Sequence, residues 1–292
     1  MEPFTLVGVP IDSVGRRGGT EHSPRAMREL GLGEALGASD AGDLAVRIRG
    51  DERDPGTGIL ASDDVLETTT TLRREVADLI SAGARPFLIG GCCSEVPGGL
   101  AGARDALGRV GLAYVDGHLD LYDGVTSPTG EAADMPISVA LGRGPEAWVE
   151  RAGGPAIELE DTAIVGYRDR EESRAYGMVQ PEELGPGLIH ASVEDVRAEG
   201  PAPTGERIAT SLSSRPHWLH LDVDVLDQDV FPATDYLMPG GMSWEELLPA
   251  LTPLAHSPAL AGVSLGCYNP EKDPDRACGR ALVEGLRSAF VR

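Results

Sequence analysis

The chain has 292 residues, 41% of them apolar, which is enough to bury one sizeable core. Asp and Glu outnumber Lys and Arg by 47 to 25, and the net charge of -22 argues against nucleic acid or an anionic membrane surface as a partner. The opening residues carry no basic stretch ahead of a long apolar run, and no segment approaches the roughly 18 apolar residues of a membrane span. A cytoplasmic location is therefore expected, with Cys92, Cys93, Cys267 and Cys278 as thiols.

Residues 5–9 form the first predicted strand. Ser23 reads as the cap of a helix that begins at Pro24. Apolar positions recur at helical spacing over 64–84, and Gly83 closes that run. Residues 86–89 form a second strand leading into Gly90-Gly91-Cys92-Cys93. Further strands are predicted at 110–115, 162–167, 217–223 and 260–265, with helices at 244–254 and 276–291. The segment 194–214, rich in Pro, Ala, Gly and Ser, reads as a surface excursion. Buried strands alternating with helices predict a parallel sheet in a single three-layer α/β domain over residues 1–292. In such sheets ligands collect at the carboxyl ends of the strands.

Two aspartate-rich motifs fall at such ends. Asp116-Gly-His118-Leu-Asp120 follows the apolar run 110–115, and His220-Leu-Asp222-Val-Asp224-Val-Leu-Asp227 follows residues 216–219. Side chains two apart share one face of a strand, so Asp116, His118 and Asp120 are expected to converge, as are His220, Asp222 and Asp224. Five carboxylates cannot stay ionised in a partly buried site unless cations offset them. Carboxylates with imidazole are ligands for divalent metals, so the pattern predicts a metal centre with two ions.

These motifs resemble those of the arginase/agmatinase (ureohydrolase) family: Gly-Gly-Asp-His, Asp-Ala-His-x-Asp and Ser-x-Asp-x-Asp-x-x-Asp-Pro. Pro232-Ala233-Thr234 and Gly240-Gly241 follow at the family's distance, and the segment from Gly18 to Arg28 looks like its opening loop and first helix. The resemblance covers nearly the whole chain. It implies an arginase-like fold with a central eight-stranded parallel sheet, two Mn(II) ions per chain, and hydrolysis of a guanidino carbon. It also implies metal ligands at Asp116, His118, Asp120, Asp222 and Asp224, with Asp116 and Asp222 bridging. Asp120 and His118 would be catalytic, Asp120 taking the proton of the attacking water.

The departures from the family bear on substrate and metal. Cys93 stands where the family has a histidine ligand, and as a thiolate it would admit Zn, Fe or Co beside Mn. Ala133 replaces the arginase proton-shuttle histidine, which leaves Glu131, Tyr122, His220 or the substrate to absorb that role. Cys267 replaces the glutamate that pairs with the guanidinium in arginases. Ser127 and Thr129 resemble the loop that binds an α-carboxylate, and Glu171 the residue that holds an α-amino group. Together these imply a small cationic or weakly basic amino-acid substrate, first of all N-omega-hydroxy-L-arginine, giving ornithine and hydroxyurea. That pattern is most like the branch of the family serving D-cycloserine biosynthesis. An arginase or agmatinase is the enzymatic alternative, and a non-catalytic arginase-like regulatory protein the other. The end at Arg292, directly after the last predicted helix, favours a monomer over a homo-oligomer.

Overall fold

A computed structural model describes residues 3–12 and 18–291. Among the described residues the eight strands are β1 (Phe4–Val9), β2 (Ser39–Asp43), β3 (Arg85–Gly90), β4 (Val110–Val115), β5 (Ile157–Tyr167), β6 (Ile189–Ser192), β7 (His217–Asp222) and β8 (Leu260–Gly266). They form one sheet in the order β2-β1-β3-β8-β7-β4-β5-β6, and every pairing is parallel. A parallel crossover needs an intervening segment, here mostly helical, and the helices cover both faces. β7 and β8 return into the gap between β3 and β4, so four strands distant in sequence become neighbours at the centre.

Alternation along β7 shows how the core divides. Leu219 and Leu221 join the cluster on one face, under Trp244–Ala255 and Ala277–Phe290. Trp218 joins the cluster on the other, under Ser62–Ser81 and Val96–Leu107. β4 and β7, at the centre of the sheet, are buried along their whole length, as their apolar runs require. Among the described residues no helix is long and apolar enough to cross a membrane.

The structure corrects the segment 194–214. It forms two helices, Val193–Glu199 and Pro201–Leu212, joined at Gly200, and Ile208 and Leu212 are buried in the core. Proline in the first turn suits a helix, because that N–H has no partner there in any case. Gly205 lets Pro201–Leu212 approach Trp244–Ala255: a Cβ there would lie 2.2 Å from the Ala250 carbonyl oxygen. We expect Gly205→Ala to cost about 1–3 kcal/mol of stability by overpacking, despite alanine's better helix propensity. Urea unfolding would measure this, and a variant as stable as the parent would contradict the close approach.

Two edge strands lie outside the predicted set. β2 reads Ser-Asp-Ala-Gly-Asp and has almost no apolar residues, yet it pairs with β1 and is pinned by Arg28, which bonds both Asp40 and Asp43. Ser23 is also corrected, since it is the first residue of its helix, buried, and makes no side-chain cap.

Candidate metal centre

The four central strands end together. Val115 pairs with Leu221, Leu221 with Leu265, and Ile89 with Leu265. The residues that follow therefore emerge side by side: Asp116 after β4, Asp222 at the end of β7, Cys267 after β8, and Cys92 and Cys93 just beyond β3. His220 and Asp222 reach the site by strand alternation, while Asp224 lies in the 3-10 turn Val223–Val225. The expectation that Asp116, His118 and Asp120 share a strand face is corrected. β4 stops at Val115, and the motif is a loop in which Asp120 takes a left-handed conformation, φ +48°.

Among the described residues, two groups of side chains are close enough to hold a metal ion. Cys93, Asp116, His220 and Asp222 form one, and Asp116, His118 and Asp224 form the other, so Asp116 belongs to both. Cys93 Sγ lies 2.8 Å from Asp222 Oδ2 and 3.7 Å from Asp116 Oδ2. His118 Nδ1 lies 3.1 Å from Asp224 Oδ2 and 3.6 Å from Asp116 Oδ1. Backbone amides hold the carboxylates in place: His118 N donates to Asp116, Asp224 N to Asp222, and Gly117 N to Asp224. Arg168 donates to the Asp224 carbonyl at 2.8 Å and fixes that turn.

Asp120 stands beside these groups, and its carboxylate accepts the buried Tyr114 hydroxyl. Asp227, the last carboxylate of the second motif, takes no part in these groups. It points away and accepts the amides of Asp229, Gly240 and Gly241.

The electrostatics favour a cation. Burial, then the neighbouring carboxylates, pushes the Asp222 and Asp120 carboxyls well above the usual range, and burial raises Asp116 as well. At Asp224 burial is outweighed by the charge of His118, and the carboxyl is held low. Burial opposes protonation of His118, but Asp224 and Asp116 raise it well above the ordinary imidazole value. Burial pushes His220 down to about 3, leaving it the neutral imidazole that metal ligation needs. Cys93 is pushed up by burial and then by neighbours that include Asp222, so its thiolate requires a bound metal, not protein cations. The donor set fits a pair of divalent ions.

Above these groups opens a cavity of about 290 Å³, lined among others by His118, Asp120, Ala133, Asp134, Tyr236 and Cys267. Ser127 and Thr129 both donate to Asp134 Oδ2 at 2.6 Å, so an internal carboxylate engages both hydroxyls. Glu171 is exposed and lies outside the lining, whereas Asp169 and Glu172 are part of it. Tyr236 donates to the buried Glu131 at 2.7 Å.

Several of these residues escape a sequence reading. In the sequence Asp134 is distinguished only by its place beside Ala133. Tyr236 and Tyr114 carry no motif. Glu95 is fully buried, its carboxyl has no hydrogen-bond partner among the described residues, and burial holds it well above the usual range.

The model of the arginase family matches residues 2–291. The arginase of Brevibacillus brevis is 27% identical over 295 residues, which covers 98% of this chain and 97% of that protein. The arginase of Bacillus caldovelox is 27% identical over 299 residues, covering 99% and 98%. Its solved structure superimposes with a TM-score of 0.89 at 26% identity, covering 100% of this chain and 99% of that one.

Proposed function

The chain belongs to the arginase family of metal-dependent hydrolases, and from that premise we propose a binuclear amidinohydrolase acting on a linear guanidino or hydroxyguanidino substrate. The observation that carries this is the pair of ligand groups sharing Asp116 on the floor of the cavity. Cys93, Asp116, Asp222 and His220 would hold one ion, and Asp116, His118 and Asp224 the other, with Asp120 beside them. Manganese suits the carboxylates, and the thiol would admit zinc, iron or cobalt. When bound, the ions supply Lewis acidity and lower the pKa of water.

The residues do the rest. Asp120, at the cavity wall and steadied by Tyr114, takes a proton from the attacking water. Water adds to the guanidino carbon, the bond from that carbon to the chain nitrogen breaks, and the nitrogen leaves with a proton as an amine. His118 borders the same space and is partly exposed, so it can exchange protons with solvent. Tyr122 and Tyr236 line the cavity with Ala133, and the Tyr236–Glu131 pair offers a proton route that alanine cannot.

The two ends of the cavity argue separately about substrate. At the metal end Cys267 offers no carboxylate, Asp222 and Asp224 are committed to the metal groups and Asp120 to the water's proton, so none is left to pair with a full guanidinium and a weakly basic amidine is favoured. N-omega-hydroxy-L-arginine fits, giving ornithine and hydroxyurea. At the outer end, Asp134 engages Ser127 and Thr129, and Asp169 and Glu172 add negative charge, which favours a tail ending in an amine without a carboxylate. That is the second reading, an agmatine-like substrate.

A panel of L-arginine, agmatine and the N-hydroxy form of each separates the two ends. We expect the hydroxyguanidines to be hydrolysed faster than their parents, with urea and hydroxyurea release as the readout. Faster turnover of both parents would overturn the hydroxyguanidine assignment. A preference for the two amines over the two amino acids would select the second reading.

A further inference from the structure

Cys267 directly follows β8, the strand between β3 and β7, so it emerges between Cys93 and Asp222. Its backbone is left-handed, φ +67°, a conformation that L residues with side chains rarely adopt. Such strain persists where the surroundings enforce it, commonly at functional sites. Its amide donates to the Gly91 carbonyl, tying together the two turns that carry thiols.

The Sγ atoms of Cys93 and Cys267 are 3.7 Å apart. A disulfide needs about 2.0 Å between its sulfurs. Two thiolates on one tetrahedral zinc, each about 2.3 Å from the metal, stand ~3.8 Å apart. The pair is therefore spaced as ligands of one ion. His220 completes the pattern: its Nε2 lies 3.4 Å from Cys93 Sγ, and its Nδ1 is 2.8 Å from Ser264 Oγ. Metal-ligating histidines use their second nitrogen in this way, which leaves the Nε2 lone pair for the metal. Stacking on Tyr114 fixes the ring.

We propose that Cys267 is a further metal ligand, joining Cys93, His220, Asp222 and the shared Asp116 in a sulfur-rich position that selects a soft or borderline ion such as zinc or cobalt, beside the carboxylate position of Asp116, His118 and Asp224. This rests on the reading that Cys93 lies in a metal site. Chelate-stripped full-length protein, loaded with Co(II), tests it through the thiolate-to-cobalt charge-transfer absorption. That band is expected to fall to about half in Cys267→Ser and Cys267→Ala, and to vanish when Cys93→Ser is added. X-ray absorption on wild-type protein holding one equivalent of zinc needs no variant and should find two sulfurs at about 2.3 Å.

One sulfur per zinc, with an unchanged band in both Cys267 variants, overturns the assignment and leaves the Cys93 site standing. Cobalt bound without any charge-transfer band overturns both thiol assignments. Failure to bind cobalt at all overturns the metal reading beneath them.

Discussion

Asp116→Asn should remove both metal positions at once and reduce hydrolysis to background. Asp116 is the one side chain common to the two ligand groups, and it is fully buried at the end of β4. Asparagine keeps the shape but offers a neutral amide, half of which is a donor facing Asp222, Asp224 and His118. The loss should far exceed the ~10–100-fold that removing an outer hydrogen-bond partner of a metal ligand costs. Asp227→Asn is the matched control. It alters an aspartate of the second motif that faces away from the cluster, so bound metal per chain should stay at the wild-type level. Metal analysis and single-substrate rates on the same preparations decide the matter. An Asp116→Asn protein with full metal content and turnover within ~10-fold of wild type would sink the shared-ligand geometry.

What a sequence discloses here follows from the physics of each part. The central strands are buried on both faces, so their apolar runs mark them clearly, and the carboxylates at their ends mark the site. The edge strands β2 and β6 carry no such pressure. They are short and mostly polar or half-exposed, and backbone pairing with one neighbour defines them. The helices within 193–212 are hidden by composition, because proline and glycine signal loops unless one knows that Pro201 begins a helix and Gly205 faces another.

At the site, the ligand types are legible but their delivery is not. The spacing of two in Asp116-x-His118-x-Asp120 imitates a strand, while the chain makes a loop whose left-handed turn at Asp120 brings that carboxylate back to Tyr114. Cys267 shows the same limit. It lies 174 residues from Cys93, and only the insertion of β8 beside β3 makes them neighbours. Sequence reading marks it as a lost glutamate, and only the fold gives it a partner.

Removing the metals should invert the pH dependence of stability. In the chelated protein, folding raises the pKa of His118 well above 6.5, so the stability this group contributes is fully present below pH 6.5 and is lost as pH rises through its folded value. Asp116, Asp120 and Asp222 act in the same direction: their raised carboxyls hold protons that the unfolded chain releases, and stability falls as pH rises. The buried imidazoles His217 and His220 oppose this. Burial depresses them to about 4 and about 3, so the unfolded chain takes up protons first and stability is lost as pH falls below 6.5. Above pH ~6.5 the imidazoles no longer offset the raised carboxyls and His118, so the chelated protein should weaken steadily on the alkaline side.

Bound ions replace the protons that the empty cluster needs, and they bind more tightly as those protons leave. An ion present at 100 times its dissociation constant adds about 2.7 kcal/mol. The loaded and chelated unfolding midpoints should thus diverge from pH 6.5 to 8.5 and converge on acidification. Midpoints that run parallel across that range would mean that the carboxylates and His118 are not competing with metal for their protons, and the cluster would then lack its electrostatic reason to bind cations.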